Sequence, residues 1–160
     1  MSDLFLKQKT ETFKIFPIGY VRREDGKTYL EILEAYVPAL KELERFSHVQ
    51  VFWWFSEFQD DEYREITQSE APYTAPVLGI FACRSPVRPN PIALTTAKIL
   101  QVDHRQGIVE IANIDAYDDT PIIDLKAYIP ISDRVKDVSV PEWCADWPEW
   151  MPDEGLKVED

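Results

Sequence analysis

The sequence has few cysteines, few glycines and no long apolar run, and each shortage excludes a class of protein. Its two cysteines, Cys83 and Cys144, lie far apart and outside any Cys/His cluster, so we expect free thiols in a reducing cytoplasm and no metal site. The five glycines form no dinucleotide-binding or phosphate-loop pattern, which argues against a doubly wound nucleotide fold. Apolar stretches such as 49–55 are far shorter than the roughly 18 residues of a membrane span, and the start of the chain does not resemble a signal peptide.

Positive charge is also scarce. Lysine and arginine number 17 against 29 acidic residues, which gives a formal net charge of −12. Half of this excess lies in residues 141–160, a tryptophan-rich segment with seven acids and one lysine. Neither this tail nor the preceding residues 1–140 have the basic bias expected of a protein that binds nucleic acid through phosphate contacts.

The remaining chain favours one β-rich domain over residues 1–140, followed by the acidic tail at 141–160. The segment 47–58 is aromatic and β-branched on both alternating faces, which predicts a central strand covered on both sides. Short strands with one modest helix predict a mainly β, barrel-like architecture. We predict strands at 13–21, 28–33, 47–58, 77–82, 92–102, 108–114 and 122–129, a helix at 38–45, and a polar loop or short helix at 60–76.

A proline-rich loop at 83–91 is the most unusual segment. Its prolines restrict the backbone, so the loop holds its shape at low entropic cost. Rigid guanidinium groups on such a loop suit bidentate recognition of a carboxylate or phosphate, although solvated arginines on an ordinary turn would look similar. The polar side chains that it presents are Arg84, Arg88 and Asn90.

Two further segments carry polar groups at strand ends. The loop after the predicted strand 108–114 holds Asp115, Asp118 and Asp119, whose carboxylates suit ribose hydroxyls and a cationic sulfonium, or simply satisfy backbone donors in a turn. Ser56 and Glu57 end the predicted central strand, where polar groups often line a pocket. His48 fits a structural role better than that of a catalytic base.

Three blocks of the chain are similar, in order and spacing, to the signature blocks of the TsaA-like domain family, which includes the TrmO-type tRNA N6-methyltransferases. The blocks read LERFSHVQVFWWFSE, GIFACRSPVRPNPIALTTAKIL and NIDAYDDTPIIDLKAYIP, and the likeness runs from about residue 13 to 130. The resemblance implies a single-sheeted antiparallel β-barrel that forms a homodimer and binds S-adenosylmethionine without a Rossmann fold. It also implies methyl transfer to the N6 atom of threonylcarbamoyladenosine in tRNA.

The same resemblance implies roles for individual residues. Arg88 and Asn90 would shape the proline-rich loop or touch the substrate. Apart from the resemblance, methyl transfer to a nitrogen needs a proton acceptor as that nitrogen becomes positive, and Asp118 or Asp119 could serve. The cofactor would be held by Ser56, Glu57, Arg84, Leu94, Asp118, Asp119, Thr120 and Pro121.

Several positions depart from the family pattern. Ser56 replaces a usual histidine, Asp119 replaces a usual glycine, and a cofactor-contacting loop is shortened to residues 22–25. The acidic tail stands where long tRNA-modifying members carry an extension that grips RNA. Two alternatives therefore remain open: an S-adenosylmethionine-binding protein that acts on a small molecule or as a regulator, and an interaction module that uses the tail tryptophans.

Overall fold

Eight strands and several one-turn helices make up the fold, for which the computed structural model describes residues 11–70 and 76–152. The strands are β1 (Gly19–Glu24), β2 (Lys27–Ile32), β3 (His48–Trp54), β4 (Gln68–Glu70), β5 (Val77–Gly79), β6 (Ile92–Asp103), β7 (Ile108–Ile111) and β8 (Pro121–Ala127). The 3₁₀ segments are Glu34–Leu40, Leu43–Arg45, Ser56–Phe58, Ile80–Ala82 and Glu142–Cys144, and the α-helical turns are Asp61–Arg64 and Pro130–Asp133.

Six strands close into one antiparallel barrel in the order β1-β2-β7-β6-β3-β8, while β4 and β5 pair separately. The predicted single-sheeted antiparallel barrel is therefore confirmed. Strand β3 lies between β6 and β8, so its central position is confirmed as well. Because the barrel is closed, each of these six strands pairs with a neighbour on both sides over at least part of its length.

Alternation along β3 separates the core from the outer surface. Val49, Val51 and Trp53 are buried, and the indole nitrogen of Trp53 donates a hydrogen bond to Thr95 Oγ1 at 3.0 Å. The intervening side chains, such as Phe52, are only half-buried. The sequence predicts that both faces of β3 are buried. This is confirmed for the inner face, whereas the side chains of the outer face remain partly exposed in the single chain.

Several predicted elements were wrong in kind or extent; the strand predicted at 47–58, for example, ends at Trp54 and is followed by a 3₁₀ turn. The helix predicted at 38–45 is two 3₁₀ segments, because Glu42 between them has a left-handed backbone with φ of 70°. Strand β1 begins at Gly19 rather than at Phe13, two residues after Pro17, which lacks the N–H group needed for a ladder. The strand predicted at 77–82 ends at Gly79 and continues as a 3₁₀ turn.

The chain after β8 packs back onto the barrel. Cys144 is buried, and the Arg134 guanidinium lies 5.1 Å from the centre of the Trp150 ring. Met151 and Pro152 line a small crevice with residues of β3 and β6. A domain boundary at residue 140 therefore remains a prediction. Across residues 11–70 and 76–152, no helix has the length and apolar character needed to cross a membrane.

Candidate functional site

An open cavity of about 960 Å³ lies at the end of the barrel where β3 ends and β6 and β8 begin. Four parts of the chain form it: the end of β3 with the 3₁₀ turn that follows, the proline-rich loop, the segment between β7 and β8, and Arg23 of β1. The lining residues are Arg23, Trp53, Trp54, Phe55, Ser56, Glu57, Phe58, Arg84, Pro86 and residues 113–120.

The cavity has an apolar floor and a charged rim. Trp53 and Ile114 are buried, and the rings of Trp53 and Phe55 meet edge to face with centres 4.6 Å apart. The carboxylates are exposed, as is Arg84, whose guanidinium makes no hydrogen bond or ion pair with other described residues. A flat apolar group therefore fits the floor, while the rim offers charge. The rim carboxylates are those of Glu57, Asp115, Asp118 and Asp119.

Residues 117–120 form a tight turn, which we call the acidic turn. The N–H group of Thr120 donates to the Tyr117 carbonyl at 3.3 Å, and Asp119 has a left-handed backbone with φ of 64°. Left-handed backbone at the third position of a turn favours glycine, and aspartate is among the few other residues that adopt it readily. The turn is fixed to β1 because Asp119 N–H donates to the Val21 carbonyl at 2.8 Å and Val21 N–H donates to the Thr120 carbonyl at 2.9 Å.

The two carboxylates of the acidic turn have different partners. Asp119 Oδ1 accepts from Arg22 Nη1 at 2.5 Å, and Arg22 Nε donates to Glu31 Oε2 at 2.5 Å. The hydrogen bond to Glu31, followed by that to Asp119, raises the pKa of Arg22 above its ordinary value. Asp118 instead accepts one hydrogen bond, from the Arg23 main-chain N–H at 2.9 Å. Asp119 therefore pairs with a guanidinium that it shares with Glu31, whereas Asp118 keeps acceptor capacity.

Arg23 is a site residue that the sequence reasoning missed. Its Nε atom donates to the Ala116 carbonyl at 2.8 Å, and Nη2 donates to the Ile114 carbonyl. Together with the contact to Asp118, these bonds tie β1 to the segment before the acidic turn. The family pattern predicts a shortened loop at residues 22–25, but residues 22–24 belong to β1. The signal was an arginine pair at the end of a predicted strand, which is common on protein surfaces.

The proline-rich loop is held by two arginines. Arg88 Nη1 lies 3.3 Å from the Cys83 carbonyl and 3.2 Å from the Ser85 carbonyl, so it bonds within the loop itself. Arg64 donates to the Pro89 carbonyl at 2.9 Å and lies 5.8 Å from the centre of the Trp54 ring. Of the loop's own arginines, Arg84 alone lines the cavity.

The structure brings together some of the residues predicted to form the site. Arg88 and Asn90 lie in the loop outside the lining, and Pro121 begins β8 just beyond it. Leu94 lies opposite Phe52 on the outer face of the barrel. It does not line the cavity of the single chain, so the cofactor contact predicted for it is not formed there. The predicted residues that share the cavity are Ser56, Glu57, Arg84, Asp118, Asp119 and Thr120.

The chemistry of the lining suits a cationic nucleoside better than a metal ion. No group of three or more histidine, cysteine or acidic side chains among the described residues is placed to hold a metal. Carboxylates accept hydrogen bonds from ribose hydroxyls and attract a sulfonium, and aromatic rings pack against a flat base. The residues present therefore fit S-adenosylmethionine.

Comparison with known proteins gives concordant matches. The tRNA-methyltransferase O N-terminal domain model matches residues 7–134. A probable S-adenosyl-L-methionine-binding protein of Methanocaldococcus jannaschii is 37% identical over 70% of this chain and 89% of that protein. The tRNA (adenine(37)-N6)-methyltransferase of Escherichia coli is 28% identical over 76% of this chain but only 52% of its own length.

A crystal structure of TrmO from Pseudomonas aeruginosa has the same barrel. The TM-score is 0.62 at 29% identity, and the match covers 81% of this chain and 62% of that structure. The chain thus spans less than two thirds of that solved relative. The family match over most of the chain agrees with the barrel and its end cavity, and the chain belongs to the tRNA-methyltransferase O N-terminal domain family.

Proposed function

We propose that this chain is an S-adenosylmethionine-dependent methyltransferase that methylates the N6 atom of threonylcarbamoyladenosine in tRNA. The observation that carries the proposal is the cavity at the barrel end, where an apolar aromatic floor lies beneath a rim of four carboxylates and Arg84. Relatives named as S-adenosylmethionine-binding proteins support the cofactor, and a relative named as a tRNA (adenine(37)-N6)-methyltransferase supports transfer to an adenine of tRNA.

The cavity residues supply binding and alignment. S-adenosylmethionine, when bound, supplies an activated methyl group that leaves with its bonding electrons remaining on sulfur. Arg84 pairs with the carboxylate of the amino-acid end, and acidic side chains such as Glu57 face the ribose hydroxyls and the positive charge. Alignment of the methyl group with the acceptor nitrogen supplies the catalysis, which is worth up to roughly 7–11 kcal/mol in well-oriented reactions.

Asp118 is the better placed proton acceptor of the two aspartates in the acidic turn. The acceptor nitrogen forms its bond to carbon with its own electron pair and then loses a proton to a nearby base. Asp119 Oδ1 is already occupied by the Arg22 guanidinium, whereas Asp118 accepts only from the Arg23 main-chain N–H among described residues. Asp119 then holds the turn, and Asp118 takes the proton.

A second function is favoured by charge. The four rim carboxylates and the net charge of −12 oppose a polyanionic substrate, and several relatives are named only as S-adenosylmethionine-binding proteins. In this alternative the same cavity holds the cofactor, and the chain acts on a small molecule or as a regulator without tRNA activity.

Incubation with S-adenosylmethionine and tRNA from cells that lack this modification tests the choice. Mass spectrometry of the digested tRNA should show threonylcarbamoyladenosine gaining one methyl group. Asp118→Asn should lower the rate by about 10²–10⁴-fold with little change in cofactor affinity, because the amide cannot accept the proton. Clear cofactor binding without methylated nucleoside would favour the second function.

We also propose that the chain is a homodimer. Ile92 and Leu94 are 40% and 37% exposed on the outer face of β6, and Leu94 lies opposite half-buried Phe52 on β3. Such an apolar face is typical of a protein interface. Light scattering should give a molar mass of twice that of the chain. The Leu94→Glu variant should have the mass of a single chain. A single-chain mass for the unaltered protein would refute the dimer.

A further inference from the structure

Tyr117 is the one exposed aromatic side chain among the lining residues that the structure describes. It is 72% exposed, and its ring makes no stacking or edge contact with another ring in the described parts of the chain. The other lining aromatics, such as Trp53 and Phe55, are buried or half-buried. A large unpaired ring at a cavity rim is available to a ligand that arrives from solvent.

The backbone on both sides of Tyr117 is fixed by a single residue. Arg23 donates through Nε to the Ala116 carbonyl at 2.8 Å, and its main-chain N–H donates to Asp118 Oδ1 at 2.9 Å. Ala116 is also buried, and Thr120 N–H closes the acidic turn onto the Tyr117 carbonyl. The ring is therefore exposed but carried on a clamped backbone, which lowers the entropy lost when a ligand packs against it.

We propose that Tyr117 is a stacking surface for the planar base of the methyl acceptor, and that Arg23 is the residue that positions it. This inference rests on the proposed methyl transfer to a nucleobase. The rim location assigns the ring to the acceptor rather than to the cofactor, since the cofactor fits the apolar floor. Stacking also places the base beside Asp118, the next residue along the chain and the proposed proton acceptor.

Aromatic stacking recognises the face of a base and needs no phosphate contact. It contributes about 1–3 kcal/mol per base in proteins that bind single strands. Stacking on Tyr117 therefore allows this chain to bind a nucleoside even though basic residues are scarce. Tyr117 would set the preference for a flat acceptor over an aliphatic one.

The nucleoside N6-threonylcarbamoyladenosine is the probe, titrated by calorimetry in the presence of saturating S-adenosylhomocysteine. Tyr117→Ala should weaken nucleoside binding by about tenfold or more, and Tyr117→Leu should do so nearly as much because a flat ring is lost. Tyr117→Phe should restore binding to within about twofold of the original protein, since the ring is kept. Affinity for S-adenosylhomocysteine should stay unchanged in all three variants.

A double-mutant cycle tests the positioning role of Arg23. Arg23→Ala should weaken nucleoside binding, and adding Tyr117→Ala should cost much less than it does alone, because the ring is no longer held. Tyr36→Ala is the matched control, since Tyr36 is exposed but lies outside the cavity. It should bind the nucleoside normally.

Three results would overturn the inference: no nucleoside binding by the unaltered protein, normal binding by Tyr117→Ala, or equal weakening of nucleoside and S-adenosylhomocysteine. The last would place Tyr117 against the cofactor. If the nucleoside binds through Tyr117 but tRNA is not methylated, the tRNA activity is wrong while the stacking surface stands.

Discussion

Arg84 lies exposed on the cavity rim, whereas Arg88 of the same proline-rich loop bonds to carbonyls within the loop. Because Arg84 makes no ion pair within the described residues, it is available to a carboxylate of the ligand. Arg84→Ala should weaken S-adenosylmethionine binding by about 1.5–3 kcal/mol in calorimetry. Arg105→Ala, in the β6–β7 turn, is a control that should bind normally. Unchanged affinity in Arg84→Ala would remove this residue from the site.

Asp119 combines a left-handed backbone with an ion pair, and two substitutions separate these effects. Asp119→Gly and Asp119→Ala both lose the bond to Arg22, but only alanine adds strain at φ of 64°. Asp119→Ala should therefore be less stable than Asp119→Gly by at least about 1 kcal/mol in urea unfolding. Equal stability, or a more stable alanine variant, would show that the turn relaxes to another backbone conformation.

Some residues of the cavity could be predicted from the sequence, and others could not. Arg84 and Asp118 were selected from their residue types and motif, and both line one cavity. Arg23 was missed because its partners are main-chain carbonyls more than 90 positions away in the sequence. Every residue has a main-chain carbonyl, so the sequence does not indicate which ones accept from Arg23. Leu94 was assigned by resemblance alone, and strand alternation places it on the outer face.

At the scale of elements, β1 depends on a glycine at its first position. A Cβ atom at Gly19 would collide with the Glu31 carbonyl oxygen and lie 3.0 Å from the Ile32 Cα atom of β2. Gly19→Ala should destabilise the protein by about 1–3 kcal/mol, since backbone rather than a flexible side chain must move. Gly79→Ala meets nothing within 4 Å and should be neutral or slightly stabilising in the same thermal unfolding assay. Equal stability of the two variants would contradict the close strand approach.

The strands themselves were largely predictable, whereas the connections were not. The β-branched and aromatic composition of segment 47–58 predicts β3, whereas the alternation of buried Val49 and Val51 with half-buried side chains is seen only in the structure. The 38–45 segment has apolar spacing suited to a helix, yet the left-handed backbone of Glu42 separates two 3₁₀ segments, the first of which contains Pro38. Such a break lies in the φ angle of one residue, which a pattern of apolar spacing does not contain.

At the scale of the whole molecule, the charge distribution opposes the substrate that the family suggests. The acidic rim and the acidic tail both repel a polyanion, and the tail packs near the barrel through Met151 and Pro152. Stacking on a rim aromatic ring and repulsion by the tail then act in opposite directions on tRNA. The two effects can be separated by experiment, because charge repulsion depends strongly on salt concentration and stacking does not.

Neutralising the tail should therefore strengthen tRNA association. The variant replaces the seven acids of residues 141–160 with their amides and keeps the tryptophans, so Cys144 and the aromatic contacts retain their shape. Binding measured by fluorescence anisotropy should be tighter than that of the unaltered protein near 0.01 M salt, where charges act over about 30 Å. The difference should shrink near 0.1 M salt, where that distance falls to about 10 Å.

A second tail variant, Trp147→Ala with Trp150→Ala, keeps the acids and serves as the matched control. If charge is the cause, this variant should bind tRNA as weakly as the unaltered protein at both salt concentrations. Weaker binding after the tryptophans are removed, with no gain after neutralisation, would mean that the tail contacts RNA through its rings. The tail would then attract tRNA instead of repelling it, because the exposed rings of Trp147 and Trp150 would add stacking surface for bases.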